Sequence, residues 1–172
     1  VLRWMNRGYT REEYQDLLNR VRAASPASSI TTDIIVGFPQ ETESCFNHTL
    51  NLVKWARFDA AFTFLYSSRS GTPAAQMPDP VPLEVKKARL QELMAVQNQI
   101  SLEINRQLIG KTVEVMVEGP SRNNVSRLSG RTRTNKIVVF EGALDLTGQL
   151  VDVEITEVQT WNLMGKIVGP SR

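Results

Sequence analysis

The spacing of apolar residues along the chain changes period at Gly110. Before Gly110, apolar residues recur every three or four positions, which is typical of amphipathic helices, and two short apolar runs interrupt that pattern. After Gly110, apolar and polar residues alternate at every second position, as in half-buried strands. The chain is therefore predicted to be an α/β segment followed by an all-β segment.

Helices and strands alternate in the predicted order of the first segment. Thr10 begins a capping box, and the apolar spacing that follows predicts a helix to about Ala24. The run Ile30–Val36 predicts a strand that is buried on both faces, as in a parallel sheet. A second helix after Thr42 and a second strand over Phe58–Ser67 complete a strand–helix–strand unit with parallel strands.

A proline-rich linker and a long helix end the first segment. Closely spaced prolines keep residues 74–82 extended. Helical spacing then runs from Leu83 to Leu108, with Gly110 as the expected C-cap. Three cations near the start of this helix are expected on a solvated face: Lys86, Lys87 and Arg89.

The second segment is predicted to contain about five short strands separated by Gly, Pro, Asn and Ser turns. Five such strands suggest a small closed β-barrel that resembles an OB fold, and such barrels often bind nucleic acid. The predicted strands are 113–117, 124–133, 136–140, 151–156 and 161–168.

Composition excludes several classes of protein. The 172 residues carry a net charge of +2 and one cysteine, Cys45, which rules out internal disulfides and fits a reducing compartment. No apolar run reaches the roughly 18 residues of a membrane span, and the first residues do not show a signal-peptide pattern, so a cytoplasmic location without membrane contact is expected. Neither Cys45 nor His48 has neighbours at ligand spacing, so no metal site is predicted.

Local charge is more informative than net charge. Residues 119–140 contain five basic residues and no acid. Arg131 and Arg133 alternate along one predicted strand and so should share a face, where cations would attract a phosphate backbone. A strand that is kept soluble by charge is the alternative. The five basic residues are Arg122, Arg127, Arg131, Arg133 and Lys136.

Four stretches of the chain resemble the methylthiotransferases, radical S-adenosylmethionine (SAM) enzymes that add a methylthio group to tRNA adenosine or to a ribosomal protein. Three of them, in chain order, are MNRGYTREEY at Met5–Tyr14, TDIIVGFPQET at Thr32–Thr42 and FTFLYSSRSGTPAA at Phe62–Ala75. The fourth, SGRTRTNKIVVFEG at Ser129–Gly142, resembles the RNA-binding TRAM domain. The resemblance covers essentially the whole chain.

This resemblance implies the domain organisation. Residues 1–78 would form the last strands and helices of a partial (β/α) radical SAM barrel, 79–110 a linker and connecting helix, and 111–172 a TRAM-like, OB-like barrel. The family holds two four-iron four-sulfur clusters through cysteines, three of them in a CxxxCxxC motif. Cys45 is the single cysteine of the chain and matches none of the family's cluster ligands. The resemblance therefore implies a carboxyl-terminal part of the enzyme that lacks both clusters and is inactive alone.

The resemblance also implies site residues. SAM would lie against the open end of the barrel, where Gly37 would let the backbone approach the cofactor and Phe38 would flank its adenine. Glu41 would contact the cofactor or serve as a helix-start acid. Arg7 and Arg69 would clamp the SAM carboxylate or a substrate phosphate. RNA contacts are expected from the barrel residues Arg127, Arg131, Arg133, Asn135 and Lys136.

Within the family, members that modify isopentenyl-adenosine next to the anticodon fit best. The implied partners are a tRNA anticodon stem-loop and the missing amino-terminal part of the same enzyme. No residue is a convincing acid, base or nucleophile, which agrees with chemistry driven by a cofactor-derived radical. Two alternatives stay open, a ribosomal-protein methylthiotransferase and a non-catalytic RNA-binding module.

Overall fold

The computed structural model describes residues 1–170, without the side chain of Pro170. The chain divides into two compact units, Val1–Ile100 and Ser101–Arg172. The division into 1–78, 79–110 and 111–172 stays a prediction. No helix within residues 1–170 has the length and apolar composition to cross a lipid bilayer.

The first unit has the predicted order of helices and strands. The capping box is present, because Glu13 N donates to Thr10 Oγ1 at 3.2 Å and Thr10 N donates to Glu13 Oε2 at 2.7 Å. The elements are α1 (Arg11–Ala24), β1 (Thr31–Val36), α2 (Glu43–Ala56) and β2 (Ala60–Leu65), followed by α3 (Leu83–Arg106), whose last six residues belong to the second unit. A 3-10 helix at Pro73–Gln76 precedes α3, so the prediction of an extended linker over residues 74–82 is wrong at its start.

The two strands β1 and β2 pair in parallel, as predicted, in a two-stranded sheet. Only one face of this sheet is buried. Ile35 lies opposite Phe64, and Asp33 lies opposite Phe62, so these side chains share a face. Because Ile35, Phe62 and Phe64 are 38%, 64% and 51% exposed, the prediction of burial on both faces is wrong for the described residues.

The buried stripe of α3 is more polar than predicted. Leu93 and Ile100 are buried, but so are Lys86 and Arg89, whose expected solvated position is wrong. Polar groups can be buried where they find partners, and the Gln97 amide donates to Phe58 O at 2.8 Å. The third predicted surface cation, Lys87, is exposed and forms an ion pair with Glu84.

The second unit contains a closed five-stranded barrel with the strand order β3-β4-β5-β7-β6, which confirms the predicted small barrel. Neighbouring strands are antiparallel except β5 and β7, which are parallel. Gly130 and Gly165 allow close strand approach, because a Cβ there would lie 2.3 Å from Met116 O and 2.4 Å from Glu154 O. The strands are β3 (Thr112–Ser121), β4 (Asn124–Thr132), β5 (Ile137–Glu141), β6 (Leu150–Val158) and β7 (Asn162–Pro170).

Candidate functional site

The loop from β1 to α2, residues 37–41, has a defined turn. Gly37 and Gln40 have φ angles of 78° and 69°, in the left-handed region. Glu41 N donates to Phe38 O at 2.9 Å, which closes a four-residue turn with Pro39 at its second position and Gln40 at its third. This geometry corresponds to a type II turn, whose third position usually holds glycine. Thr42 then caps α2 by accepting from Cys45 N.

The Glu41 carboxylate is buried, and one of its oxygens has two hydrogen-bond donors. Its Oε2 accepts from Gly37 N at 2.9 Å and from Arg89 Nη1 at 3.2 Å. Arg89 Nη1 also donates to Glu41 O at 2.8 Å. Because Glu41 precedes the N-cap Thr42, it lies outside the first turn of the helix, and the expectation of a helix-start acid is wrong. The carboxylate instead bridges the two ends of the loop, Gly37 and Glu41, and connects the loop to α3 through Arg89.

Gly37 is required by packing as well as by its backbone angles. A Cβ at this position would lie 2.7 Å from Cγ and Cδ of Lys86. The ammonium group of Lys86 forms an ion pair with Asp79 and lies 5.8 Å from the Tyr66 ring centroid. The side of Gly37 that lacks a side chain is therefore filled by the Lys86 stem.

Phe38 is 4% exposed, and its ring packs edge-on against Tyr66 with centroids 5.2 Å apart. The Tyr66 hydroxyl is buried and has no hydrogen-bond partner among residues 1–170. Phe38 and Glu41 thus offer no exposed side-chain group to a cofactor. Two buried polar groups beside this loop, the Tyr66 hydroxyl and Arg89 Nε, have no hydrogen-bond partner in the described structure.

The two other predicted cofactor residues lie in exposed segments outside this loop. Arg7 lies just before α1, and its backbone N–H donates to Leu2 O. Arg69 begins a turn that Thr72 closes by donating to Arg69 O. Neither guanidinium forms an ion pair within residues 1–170, so both fit a carboxylate or phosphate by their chemistry.

Sequence reasoning missed Lys86 and Arg89 as partners of this loop. The available signal was helical spacing, because Lys86, Arg89, Leu93, Gln97 and Ile100 follow each other at intervals of three or four residues. No three His, Cys, Asp or Glu side chains in residues 1–170 lie close enough to hold a metal ion.

Acids on neighbouring strands oppose the basic residues of the barrel. Arg131 Nε lies 3.1 Å from Glu118 Oε1, and Arg133 Nε lies 2.7 Å from Glu114 Oε1. Arg127 Nη2 lies 3.6 Å from Glu141 Oε1. The acid-free window of residues 119–140 therefore does not create an unopposed cationic face, since acids outside that window pair with three of its four arginines.

A tight turn joins β4 to β5 and contains the rest of the predicted RNA-binding residues. Strand β4 ends at Thr132, so Arg133 lies in the turn, and the strand alternation expected for Arg131 and Arg133 does not apply. Asn135 adopts a φ of 62°, and its Oδ1 accepts from Arg131 Nη1 at 2.9 Å. Lys136 O accepts from Thr132 N at 3.0 Å and closes the turn.

Comparisons with known proteins agree with the resemblance. The TRAM domain family matches residues 106–168. Curated proteins named tRNA-2-methylthio-N(6)-dimethylallyladenosine synthase are similar over nearly the whole chain. The protein from Carboxydothermus hydrogenoformans is 55% identical over 98% of this chain and 38% of its own length. Those from Moorella thermoacetica and Anoxybacillus flavithermus are 54% and 53% identical over 98% of this chain, and the chain covers 38% and 32% of them.

The chain thus spans little more than a third of the length of the first two relatives. The TRAM match falls on the second unit, and the similarity to the synthases extends through both units. The chain therefore contains a TRAM domain and is similar, over nearly its whole length, to part of the tRNA-2-methylthio-N(6)-dimethylallyladenosine synthases.

Proposed function

We propose that the intact protein adds a methylthio group to isopentenyl-adenosine next to the anticodon of tRNA, by radical SAM chemistry in the cytoplasm. The observation that carries this proposal is 55% identity, over 98% of the chain, to a relative with that named activity. This chain would supply the last strands and helices of the partial (β/α) barrel and a tRNA-binding barrel. Alone, it would be inactive.

The cofactors of the intact enzyme would be SAM and two four-iron four-sulfur clusters. The clusters would be held by cysteines outside this chain, because Cys45 is its single cysteine and cluster ligation needs several converging thiolates. When bound, SAM supplies the radical that activates the adenine carbon and the methyl group that is transferred.

Within the first unit, Arg7 and Arg69 are proposed to hold an anionic group of the cofactor or substrate with two parallel hydrogen bonds. The buried loop residues Gly37, Phe38 and Glu41 would shape the edge of the cofactor site rather than reach into it. Their proposed contribution is a fixed backbone that needs no reorganisation when the cofactor binds.

Within the barrel, the proposed RNA contacts are made by Arg127, Arg131 and Arg133, by Lys136 and by the amide nitrogen of Asn135. Each arginine ion pair is exposed enough for solvent screening, with side-chain exposures of 40% for Arg131 and 80% for Arg133. Exposed ion pairs of this kind contribute about 0–1 kcal/mol each. An RNA phosphate can therefore replace the glutamate at little cost, and these contacts would position the tRNA rather than read its sequence.

A direct test uses the intact protein that contains this chain, with its clusters reconstituted, and tRNA that carries isopentenyl-adenosine. Mass spectrometry of the digested tRNA should show the methylthio derivative only with the intact protein, and not with residues 1–172 alone. If a ribosomal protein gains the group while tRNA stays unmodified, the ribosomal-protein alternative holds. RNA binding without modification of either substrate would indicate a non-catalytic module.

A further inference from the structure

An exposed tryptophan lies at the turn between β6 and β7. Trp161 is 63% exposed, although tryptophan is usually well buried in folded proteins. The turn residues Gln159–Trp161 separate Val158, the last residue of β6, from Asn162, the first residue of β7. The exposure therefore occurs on the barrel, where RNA binding is proposed.

The turn that carries Trp161 is fixed by hydrogen bonds. Gln159 N donates to Asn162 O at 2.8 Å, which closes the turn. The Asn105 amide, at the end of α3, donates to Gln159 O at 2.9 Å and to Thr160 O at 3.2 Å. Asn105 is only 5% exposed, so water competes little for these bonds. The indole ring is thus attached to a backbone that is already ordered before any ligand binds.

Strand register places Trp161 beside the basic turn. Ile137 of β5 pairs with Asn162 of β7 and with Arg131 of β4. The preceding residues, Lys136 and Trp161, therefore lie at the same end of two adjacent parallel strands. An exposed aromatic ring and the cationic turn from Arg131 to Lys136 share one end of the barrel.

We propose that Trp161 is a stacking platform for an unpaired RNA base, with the adjacent phosphates on the turn from Arg131 to Lys136. This inference rests on the proposed RNA binding of the barrel. An indole face stacks on any base, and the neighbouring cations attract the backbone that carries the base. The ligand is single-stranded RNA, because the bases of a duplex are stacked on each other and unavailable. Asn105 acts as a positioning residue through the turn.

The test measures binding of the full chain, residues 1–172, to a fluorescein-labelled, unstructured 12-nucleotide RNA by anisotropy over a range of salt concentrations. Trp161→Ala should weaken binding by roughly 5- to 150-fold, because a stacked base is lost. Trp161→Phe should retain most of the affinity. The slope of log affinity against log salt should not change, because no cation is removed.

Two controls separate stacking from other effects. Trp4→Ala removes another exposed tryptophan, 47% exposed and in the first unit, and should leave RNA affinity unchanged. Inorganic polyphosphate carries backbone charge but no bases, so Trp161→Ala should not alter its binding. Thermal unfolding by circular dichroism confirms that each variant is folded.

The possible outcomes separate this inference from the proposed function. If wild type binds RNA and Trp161→Ala binds equally well, the platform is overturned while RNA binding stands, and the exposed ring serves another partner such as a protein. Equal losses for RNA and polyphosphate would also overturn stacking, since the variant would then have disturbed the cationic turn. Absence of wild-type RNA binding at low salt would overturn both proposals.

Discussion

At the scale of single residues, the main feature of the first unit is a buried ion pair between Arg89 and Glu41. The Arg89 and Glu41 side chains are 8% and 4% exposed, and together they attach the loop of residues 37–41 to α3. A buried charge that loses its partner is strongly destabilising, whereas an exposed pair contributes little. Arg89 and Lys87 lie two residues apart on one helix and illustrate both cases.

Replacement of Arg89 should therefore destabilise the chain far more than replacement of Lys87. Arg89→Met leaves the Glu41 carboxylate buried without its cation and is expected to cost about 3–5 kcal/mol of unfolding free energy. Lys87→Met removes an exposed pair with Glu84 and should change stability by less than about 0.5 kcal/mol. Urea denaturation of both variants measures the difference. Equal effects of the two changes would show that the buried pair does not stabilise the loop.

Gly37 offers a second test, with Gly71 as its matched control. Both glycines have positive φ angles, 78° and 80°, but a Cβ at Gly71 would meet no atom within 4 Å, whereas one at Gly37 would meet the Lys86 stem. Gly71→Ala should cost about 1 kcal/mol for the backbone conformation alone. Gly37→Ala should cost clearly more in the same urea titration. Equal costs would mean that Lys86 moves aside freely.

At the scale of elements, the order of helices and strands could be predicted, and most of their bounds to within two residues, because capping residues and apolar period are local signals. Strand β3 is an exception, since it continues to Ser121 and not to residue 117 as predicted. The buried face of α3 could not be predicted, because burial of Lys86 and Arg89 depends on distant partners, Asp79 and Glu41. The prediction of an unopposed cationic face on the barrel was wrong for the same reason. Glu114 and Glu118 oppose the arginines from a neighbouring strand, which a window along the sequence does not contain.

Those cross-strand acids lead to a third prediction. Glu114→Gln with Glu118→Gln releases Arg133 and Arg131 for phosphate contacts, so RNA affinity should rise. The slope of log affinity against log salt should stay nearly the same, because these arginines contact the same phosphates in the wild type. Anisotropy titrations at several salt concentrations measure both effects.

Asp145→Asn is the control for this charge change. It removes an acid that has no ion pair within residues 1–170 and that the structure does not place against the arginines, so it should alter RNA affinity less. An RNA affinity that does not rise in the double variant would argue that Arg131 and Arg133 do not contact phosphate.

At the scale of the whole molecule, the open face of the two-stranded sheet is the largest departure from the sequence-based expectation. Ile35, Phe62 and Phe64 are apolar, yet more than a third of each is exposed. The resemblance to a partial barrel explains the continuous apolar pattern of both strands, because in the proposed intact enzyme further strands would continue this sheet. In that proposed arrangement the sequence pattern would reflect burial in the intact enzyme, whereas the observed exposures are those of this chain alone.

This open face should make the isolated chain prone to association. Phe62→Ser with Phe64→Ser should reduce self-association measured by light scattering, because contiguous exposed apolar surface promotes it. Leu144→Ser removes an apolar side chain that is 64% exposed in the second unit, and it should have a smaller effect. Unchanged scattering in the double variant would show that the sheet face is not the site of association.

The central claim, that this chain supplies the tRNA-binding part of a methylthiotransferase, is tested most directly by its affinity for a tRNA anticodon stem-loop across salt. The account predicts measurable binding that weakens linearly in log salt, and a shallower slope after Arg131→Ala, Arg133→Ala and Lys136→Ala together. Absence of binding at low salt would contradict the claim and would favour the protein-modifying alternative.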